Sequence, residues 1–346
     1  MRNKIYTLLF VGLVFVSCKT TTPIPQNTTT NNFHSDFSLA FGSGNNQKLK
    51  NPFWQAIQNK KPNVWIWEGD AIYSDTENMS VLKKNYDLQK NKTDYQNFIQ
   101  HIPVIGTWDD HEYGVNDGGA EYPQKVASQK LFLDFLDVPT NDIRRQRKGV
   151  YFSKNYNVDG HQIKIILLDT RYFRTALTKN NSGKKRYKPN AYGQGTMLGE
   201  AQWKWLQKEL NNSTADFNVI MSSIQFLSGE HGFEAWGNMP HEIKRMENII
   251  LKSNAKAVFI LSGDRHVSEI SRKNIGDHLY PLYDFTSSGL THSYTAFSGE
   301  PNQFRITPVI YQKSFGLVKF DVHHHKIRFE MWGEKNKLLQ IYDVQF

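Results

Sequence analysis

Two regularities in the 346-residue sequence predict an α/β layered fold. Short β-branched and aromatic runs alternate with longer stretches whose apolar residues recur at helical spacing, the pattern of strands interleaved with helices. Six of the strand-like runs end abruptly in polar clusters, and in open α/β sheets the ligand crevice lies beyond the carboxyl ends of the strands. Composition agrees: 39% of residues are hydrophobic and 13% aromatic, enough to build a large core, which excludes wholesale disorder. A single cysteine excludes a disulfide scaffold and a thiolate zinc finger.

The chain opens with an address. Arg2 and Lys4 precede an apolar run over residues 5–16 that, at about a dozen residues, is shorter than the ~20 a membrane-spanning helix needs. A basic start, a short apolar centre and small residues before a cut describe a secretory signal over residues 1–17. Phe15-Val16-Ser17-Cys18 resembles a bacterial lipobox, which implies lipidation of Cys18 as the mature N-terminus; an ordinary signal with an incidental cysteine is the weaker reading. Residues 18–32 are rich in Thr, Asn and Pro without periodicity and read as a flexible tether. The expectation is a folded domain over residues 33–346, held by lipid to a bacterial membrane on its periplasmic or outer side. Of the formal net charge of +9, two charges lie before Cys18, so a chain cut there carries +7.

In order along the domain, strands are predicted at residues 37–41, 64–67, 102–108, 163–168, 219–221 and 257–261. Helices are predicted at 123–136, 199–210 and 241–253, and strands return at 282–286, 315–322, 327–332 and 339–344, where a mixed second sheet is expected. The six early strands run into Gly44-Asn45-Asn46, Gly69-Asp70, Asp109-Asp110-His111-Glu112, Asp169-Thr170-Arg171, Ser222-Ser223-Ile224-Gln225 and Gly263-Asp264-Arg265-His266. Asp and Gly also end strands as ordinary turn residues. That accounts for one or two cases, but not for Asp70, Asp109, Asp110, His111, Asp264 and His266 together, because clustered carboxylates repel one another without a cation.

Oxygen and imidazole donors without cysteine suit hard or borderline cations such as Ca, Mn, Fe or Zn. Two metals bridged by a carboxylate stabilise the attacking and leaving oxygens of an in-line displacement, and a nearby unligated histidine can protonate the leaving alkoxide. Asp70 is the candidate bridge, Asp110, Asp264 and His266 are further ligands, and His111 is the free histidine.

Gly69-Asp70-Ala71-Ile72-Tyr73, Thr107-Trp108-Asp109-Asp110-His111-Glu112, Leu168-Asp169-Thr170-Arg171 and Ser262-Gly263-Asp264-Arg265-His266 together resemble the PhoD-like alkaline phosphatase/phosphodiesterase family, a branch of the calcineurin-like metallophosphoesterases. The resemblance covers residues 37–270 and is most specific at the Trp-Asp-Asp-His-Glu segment. It implies an αββα sandwich of two mixed sheets flanked by helices, and a metal-dependent phosphoesterase acting on phosphodiesters, phosphomonoesters or both. It also implies two or more divalent or trivalent metal ions, with Asp70 bridging, Tyr73 ligating, Asp110 on the second metal, Asp264 and His266 giving one ligand each, and His111 as the phosphate-contacting general acid. Asn45, Asp109 and Gln225 are candidates for weaker or supporting contacts. One departure stands out: where the family often carries a cysteine at the end of the first strand, this chain has Gly44, so a Ca, Mn or Zn pair is expected ahead of iron.

Arg171 and Arg174 are candidates to bind substrate phosphate as bidentate donors; Arg171 pairing with Asp169 or a metal-site carboxylate is an equal alternative. His231, Glu234 and Trp236 are placed in a loop near the substrate mouth, Trp236 at least as readily as packing. The basic tract over residues 179–186 and the triplet His323-His324-His325 read as a solvated loop and an exposed turn. The basicity is spread through lysines without a nucleic-acid-binding motif. Rival readings are a phospholipase C-like or other ester hydrolase on the same fold, separated by a substrate panel, and a non-catalytic surface lipoprotein, separated by metal content.

Overall fold

A computed structural model of the protein describes residues 33–183 and 185–346. The proposed signal, Cys18 and the tether lie outside the described residues. The first sheet begins with β1 (Phe37–Gly42), β2 (Val64–Glu68) and β3 (Val104–Thr107), linked through α1 (Trp54–Asn59), α2 (Met79–Lys90) and α3 (Thr93–His101). Then come α4 (Asp110–Tyr113), α5 (Lys125–Phe135), β4 (Phe152–Val158), β5 (His161–Leu167), α6 (Gly199–Asn211), β6 (Phe217–Ser222) and α7 (Pro240–Lys252). The chain finishes with β7 (Val258–Ser262), β8 (Ser268–Lys273), β9 (Leu282–Ser287), β10 (Ser314–Asp321), β11 (Lys326–Gly333) and β12 (Lys337–Gln345).

Two six-stranded sheets result, ordered β12-β11-β10-β1-β2-β3 and β4-β5-β6-β7-β9-β8. Both are mixed: β1, β2 and β3 run parallel while β1 meets β10 antiparallel, and β5, β6, β7 and β9 run parallel with β4 and β8 antiparallel at the edges. This is the αββα sandwich that the family resemblance implies. One expectation is corrected. The C-terminal strands do not form a separate second sheet, because β10–β12 extend the first sheet from β1, Phe37 lying opposite Phe320.

The period of two in each strand sorts the apolar residues onto two faces. In β1 and β2, Leu39, Phe41, Val64 and Ile66 face the second sheet and pack with Ile165, Val219, Met221, Phe259 and Phe285. The alternate residues Ala40, Trp65 and Trp67 face α1 and α3, where Trp54 meets both tryptophans edge-on at 5.5 Å. The second sheet does the same with Ile166, Ile220 and Ile260 against Trp203, Leu206, Met246 and Ile250 of α6 and α7. Strands buried on both faces are continuous hydrophobic runs, which is why they were readable from sequence. Among the described residues no helix is long and apolar enough to cross a membrane.

Candidate active site

The parallel strands of both sheets end on one side, and the two sheets are stitched together there. Ser43, just past β1, forms an isolated parallel bridge with Ser288, just past β9, and their hydroxyls are 2.9 Å apart. Thr107 Oγ1 donates to the Leu168 carbonyl at 2.6 Å, tying the end of β3 to the end of β5. Gly69 allows a further close approach. Its φ is +94°, and a β-carbon would lie 2.3 Å from Asp109 Cβ, so only glycine lets the turn after β2 rest on the turn after β3. The Asp70 turn is then fixed by its backbone: the Glu112 carboxylate accepts from the Asp70 and Ala71 N–H groups at 2.8 and 3.2 Å, and the Asn45 N–H donates to the Asp70 carbonyl at 2.8 Å.

On this frame the strand-end residues converge. The Tyr73 hydroxyl lies 2.9 Å from Asp70 Oδ2 and 2.7 Å from His266 Nε2, and His266 Nε2 is 3.8 Å from Asp70 Oδ2. Ligand atoms of Asp70, Asp110 and His111 lie within 4.8 Å of one another, as do those of Asp110, Asp117 and Glu234. Asp110 Oδ2 accepts from the Asp117 N–H at 2.6 Å, and its Oδ1 is 4.0 Å from His111 Nε2. His111 Nδ1 is held by the Asp75 carboxylate at 2.8 Å, which leaves Nε2 on the Asp110 side. Asp264 hangs from Ser43 Oγ through its backbone N–H at 3.2 Å.

Crowding of negative charge shapes the electrostatics. Lost hydration raises Asp264 well above the usual carboxylate range, and Asp110 and Asp70 raise it further against the pull of Arg265. Asp109 is raised by burial, with Arg171 opposing and Asp110, Asp70 and Asp264 adding to the rise. Burial favours neutral Asp110, yet His111 and Arg171 outweigh it and hold its pKa below the ordinary value. Burial pulls His111 down, but Asp110, Asp70 and Asp75 dominate and lift it to about 11.

The residues fit a cation. Asp70 Oδ1, Asp109 Oδ2 and Asp110 Oδ1 are buried without a hydrogen-bond partner, a costly state for a carboxylate oxygen unless a positive charge meets it. The donors are carboxylate oxygens, a phenol and imidazoles, which suit hard and borderline ions.

Six predicted residues are engaged by protein partners of their own. Arg171 is fully buried; its Nε and Nη2 pair with Asp109 and its Nη1 with Glu234 at 2.6 Å, so its guanidinium faces carboxylates and not solvent. Arg174, equally buried, pairs with Glu234 at 2.8 Å. Asp109 Oδ1 is occupied by Arg171 and by Ser223 Oγ at 2.7 Å. Gln225 is turned into the second sheet, donating to Glu269 and Thr286 at 2.8 and 2.9 Å, and Asn45 uses its amide on Ala71, Gln89 and Asn51. Trp236 is packing, with Nε1 donating to Ser222 Oγ. Sequence reading missed Asp75, Asp117 and His292. The first two lie in irregular loops with no strand end to mark them, and His292 is five residues beyond the end of β9, farther from its strand than Asp70 is from β2. The His292 ring lies 4.5 Å from that of His266 and 5.0 Å from that of Tyr73.

Two mixed sheets with a carboxylate–imidazole pocket at the ends of their parallel strands define a metallophosphoesterase-type protein. The family model of the PhoD-like phosphatases matches residues 39–291, and the chain belongs to that family. Over 199 residues it is 27% identical to alkaline phosphatase D of Bacillus subtilis (strain 168), an alignment covering 50% of this chain and 33% of that protein. The chain thus spans about a third of the length of that curated relative. Among solved structures, that of PhoD aligns with 90% of this chain and 70% of its own at a TM-score of 0.74 and 17% identity. A dimetal phosphatase from Danio rerio aligns with 90% of this chain and all of its own at a TM-score of 0.53 and 10% identity.

Removing cations is expected to destabilise the protein in a pH-dependent way. Asp109 and Asp264 have raised pKa values in the fold. A carboxyl raised above its unfolded value contributes stability at low pH that is lost as pH rises through the folded pKa. Chelator-treated protein should therefore melt lower at about pH 8 than at about pH 5, and the gain from restoring cations should grow over that range. At a hundredfold excess over Kd each site adds about 2.7 kcal/mol, giving a shift on the order of 10 °C for two sites. Melting curves with and without metal at the two pH values check this, and a shift that shrinks with rising pH would contradict it.

Proposed function

We propose that this protein is a metal-dependent phosphoesterase, held by lipid on the extracytoplasmic side of a bacterial membrane and hydrolysing phosphodiesters, phosphomonoesters or both. The observation that supports this reading is the meeting of Asp70, Tyr73, Asp110, His266 and His111 at one seam, with Asp264 near enough for Asp110 and Asp70 to raise its pKa, in a chain of the PhoD-like phosphatase family. Asp70, Tyr73, Asp110, Asp264 and His266 are the residues that would hold the cations. Calcium, manganese and zinc are the ions proposed first. Bound there, the cations would supply Lewis acidity toward a phosphoryl group and lower the pKa of water.

The chain's own residues do the rest. His111 keeps its proton at neutral pH because carboxylates surround it, and Asp75 fixes its Nδ1, so Nε2–H is the donor offered to the leaving oxygen. Asp117 and Asp75 hold Asp110 and His111 in register. Arg171 acts as a positioning residue, pairing with Asp109 behind the pocket and fixing where its carboxylate sits.

A rate series on phosphodiesters of graded leaving-group pKa tests the reading. Wild type with metal restored is expected to hydrolyse them. His111→Ala is expected to keep its metal and to lose about 10²–10⁴-fold with poor leaving groups, far less with nitrophenolates. Equal loss across the series would remove the proton-donor role, and no hydrolysis by the metal-loaded wild type would remove the phosphoesterase reading. The anchor has its own check: radiolabelled fatty acid should enter the wild-type chain in a bacterial host and be lost in Cys18→Ala.

A further inference from the structure

The loop after β9 brings one more imidazole to the pocket, and its hydrogen bonds assign that imidazole a protonation pattern. The loop lies along the end of β1: the Gly289 and Leu290 N–H groups donate to the Ser43 carbonyl, and the Thr291 N–H donates to that of Gly44. The buried Thr291 Oγ1 is 3.1 Å from the Gly44 carbonyl, 2.8 Å from the Asn46 N–H and 3.1 Å from His292 Nδ1. A hydroxyl has one proton and two lone pairs. All three contacts are hydrogen bonds only if the hydroxyl donates to the Gly44 carbonyl and accepts from both Asn46 N–H and His292 Nδ1–H. The lone pair of His292 is then on Nε2. An imidazole with one nitrogen held as a donor and the other carrying a lone pair is prepared to ligate a cation, and repels the oxygens of an anionic substrate.

Position 44 adds a second observation. Gly44 has φ +72°, and a β-carbon there would approach to 3.0 Å from Gly289 N and 3.2 Å from His266 Cδ2. The end of β1 therefore offers no side-chain donor beside His266, and the loop that fills this space is the one that carries His292.

We propose that His292 completes the donor set around Asp70, Tyr73 and His266, supplying Nε2 as a neutral nitrogen ligand where residue 44 has no side chain. The proposal rests on the metal-centre reading given above. A carboxylate, a phenol and two imidazoles suit a borderline divalent ion, so zinc is the probe.

The experiment measures zinc binding to the purified, chelator-stripped chain by competition with a chromogenic chelator, alongside cobalt(II) absorption spectra. Wild type is expected to bind two equivalents. His292→Ala and His292→Gln are expected to weaken one of them about 10- to 100-fold, leave the other unchanged and alter the cobalt bands. Added imidazole should restore His292→Ala, and Thr291→Ser, which keeps the hydroxyl, should bind like wild type. Unchanged affinity and an unchanged cobalt spectrum in folded His292→Gln would overturn the proposal, as would a wild type that takes up no zinc. Hydrolysis is read separately: tight zinc with no ester cleavage by the wild type would count against the phosphoesterase reading and leave the His292 assignment standing.

Discussion

Asp70→Asn is expected to lower turnover of a chromogenic phosphodiester about a thousandfold, ~4 kcal/mol in activation free energy. Asparagine keeps the shape of the side chain and tolerates the left-handed backbone that Asp70 adopts at φ +50°, so the loss would come from charge and not from refolding of the turn. Bound metal, measured by elemental analysis, should fall in parallel, because Asp70 Oδ2 is next to both the Tyr73 hydroxyl and His266 Nε2. A variant with wild-type metal content and rate would show that the chemistry is elsewhere.

The largest expected effect on stability belongs to Arg171→Met. Methionine fills similar volume but leaves Asp109 and Glu234 buried with their carboxylates facing each other across an apolar side chain. Removing one partner of a buried ion pair costs about 3–5 kcal/mol, which corresponds to a fall in Tm on the order of 10 °C. Adding Asp109→Asn and Glu234→Gln should recover much of this, and the recovery measures the coupling. Were Arg171 instead a ligand of substrate phosphate, the single variant would raise KM with its melting temperature intact.

These two residues also mark how far the sequence can be read. Asp70, Asp110, Asp264 and His266 were legible because each follows a strand buried on both faces, where an apolar run stops at a charged turn. The fate of Arg171 was not, since its partners Asp109 and Glu234 lie 62 and 63 residues away and nothing local reports such a pairing. The helices α1, α2 and α3 escaped for different reasons. The first has only six residues, and α2 buries just Leu82, Tyr86 and Gln89 beneath a polar surface, a faint periodic signal. The edge strands β4 and β8 are half-polar and short of the hydrophobic run that identified their neighbours. The pairing of β10 with β1 joins residues nearly the whole domain apart, a choice made by packing and not by either strand alone.

Asp70, Asp264 and His266 all have positive φ, at 50°, 67° and 53°. Such conformations cost about 1–3 kcal/mol each, and the crowded carboxylates add their own penalty. The rest of the sandwich must therefore carry a surplus to keep this corner in place. A lineage released from selection for catalysis would drift toward glycine or asparagine at these three positions and become more heat-resistant as it lost its chemistry, so sturdiness and competence should trade against each other across natural variants.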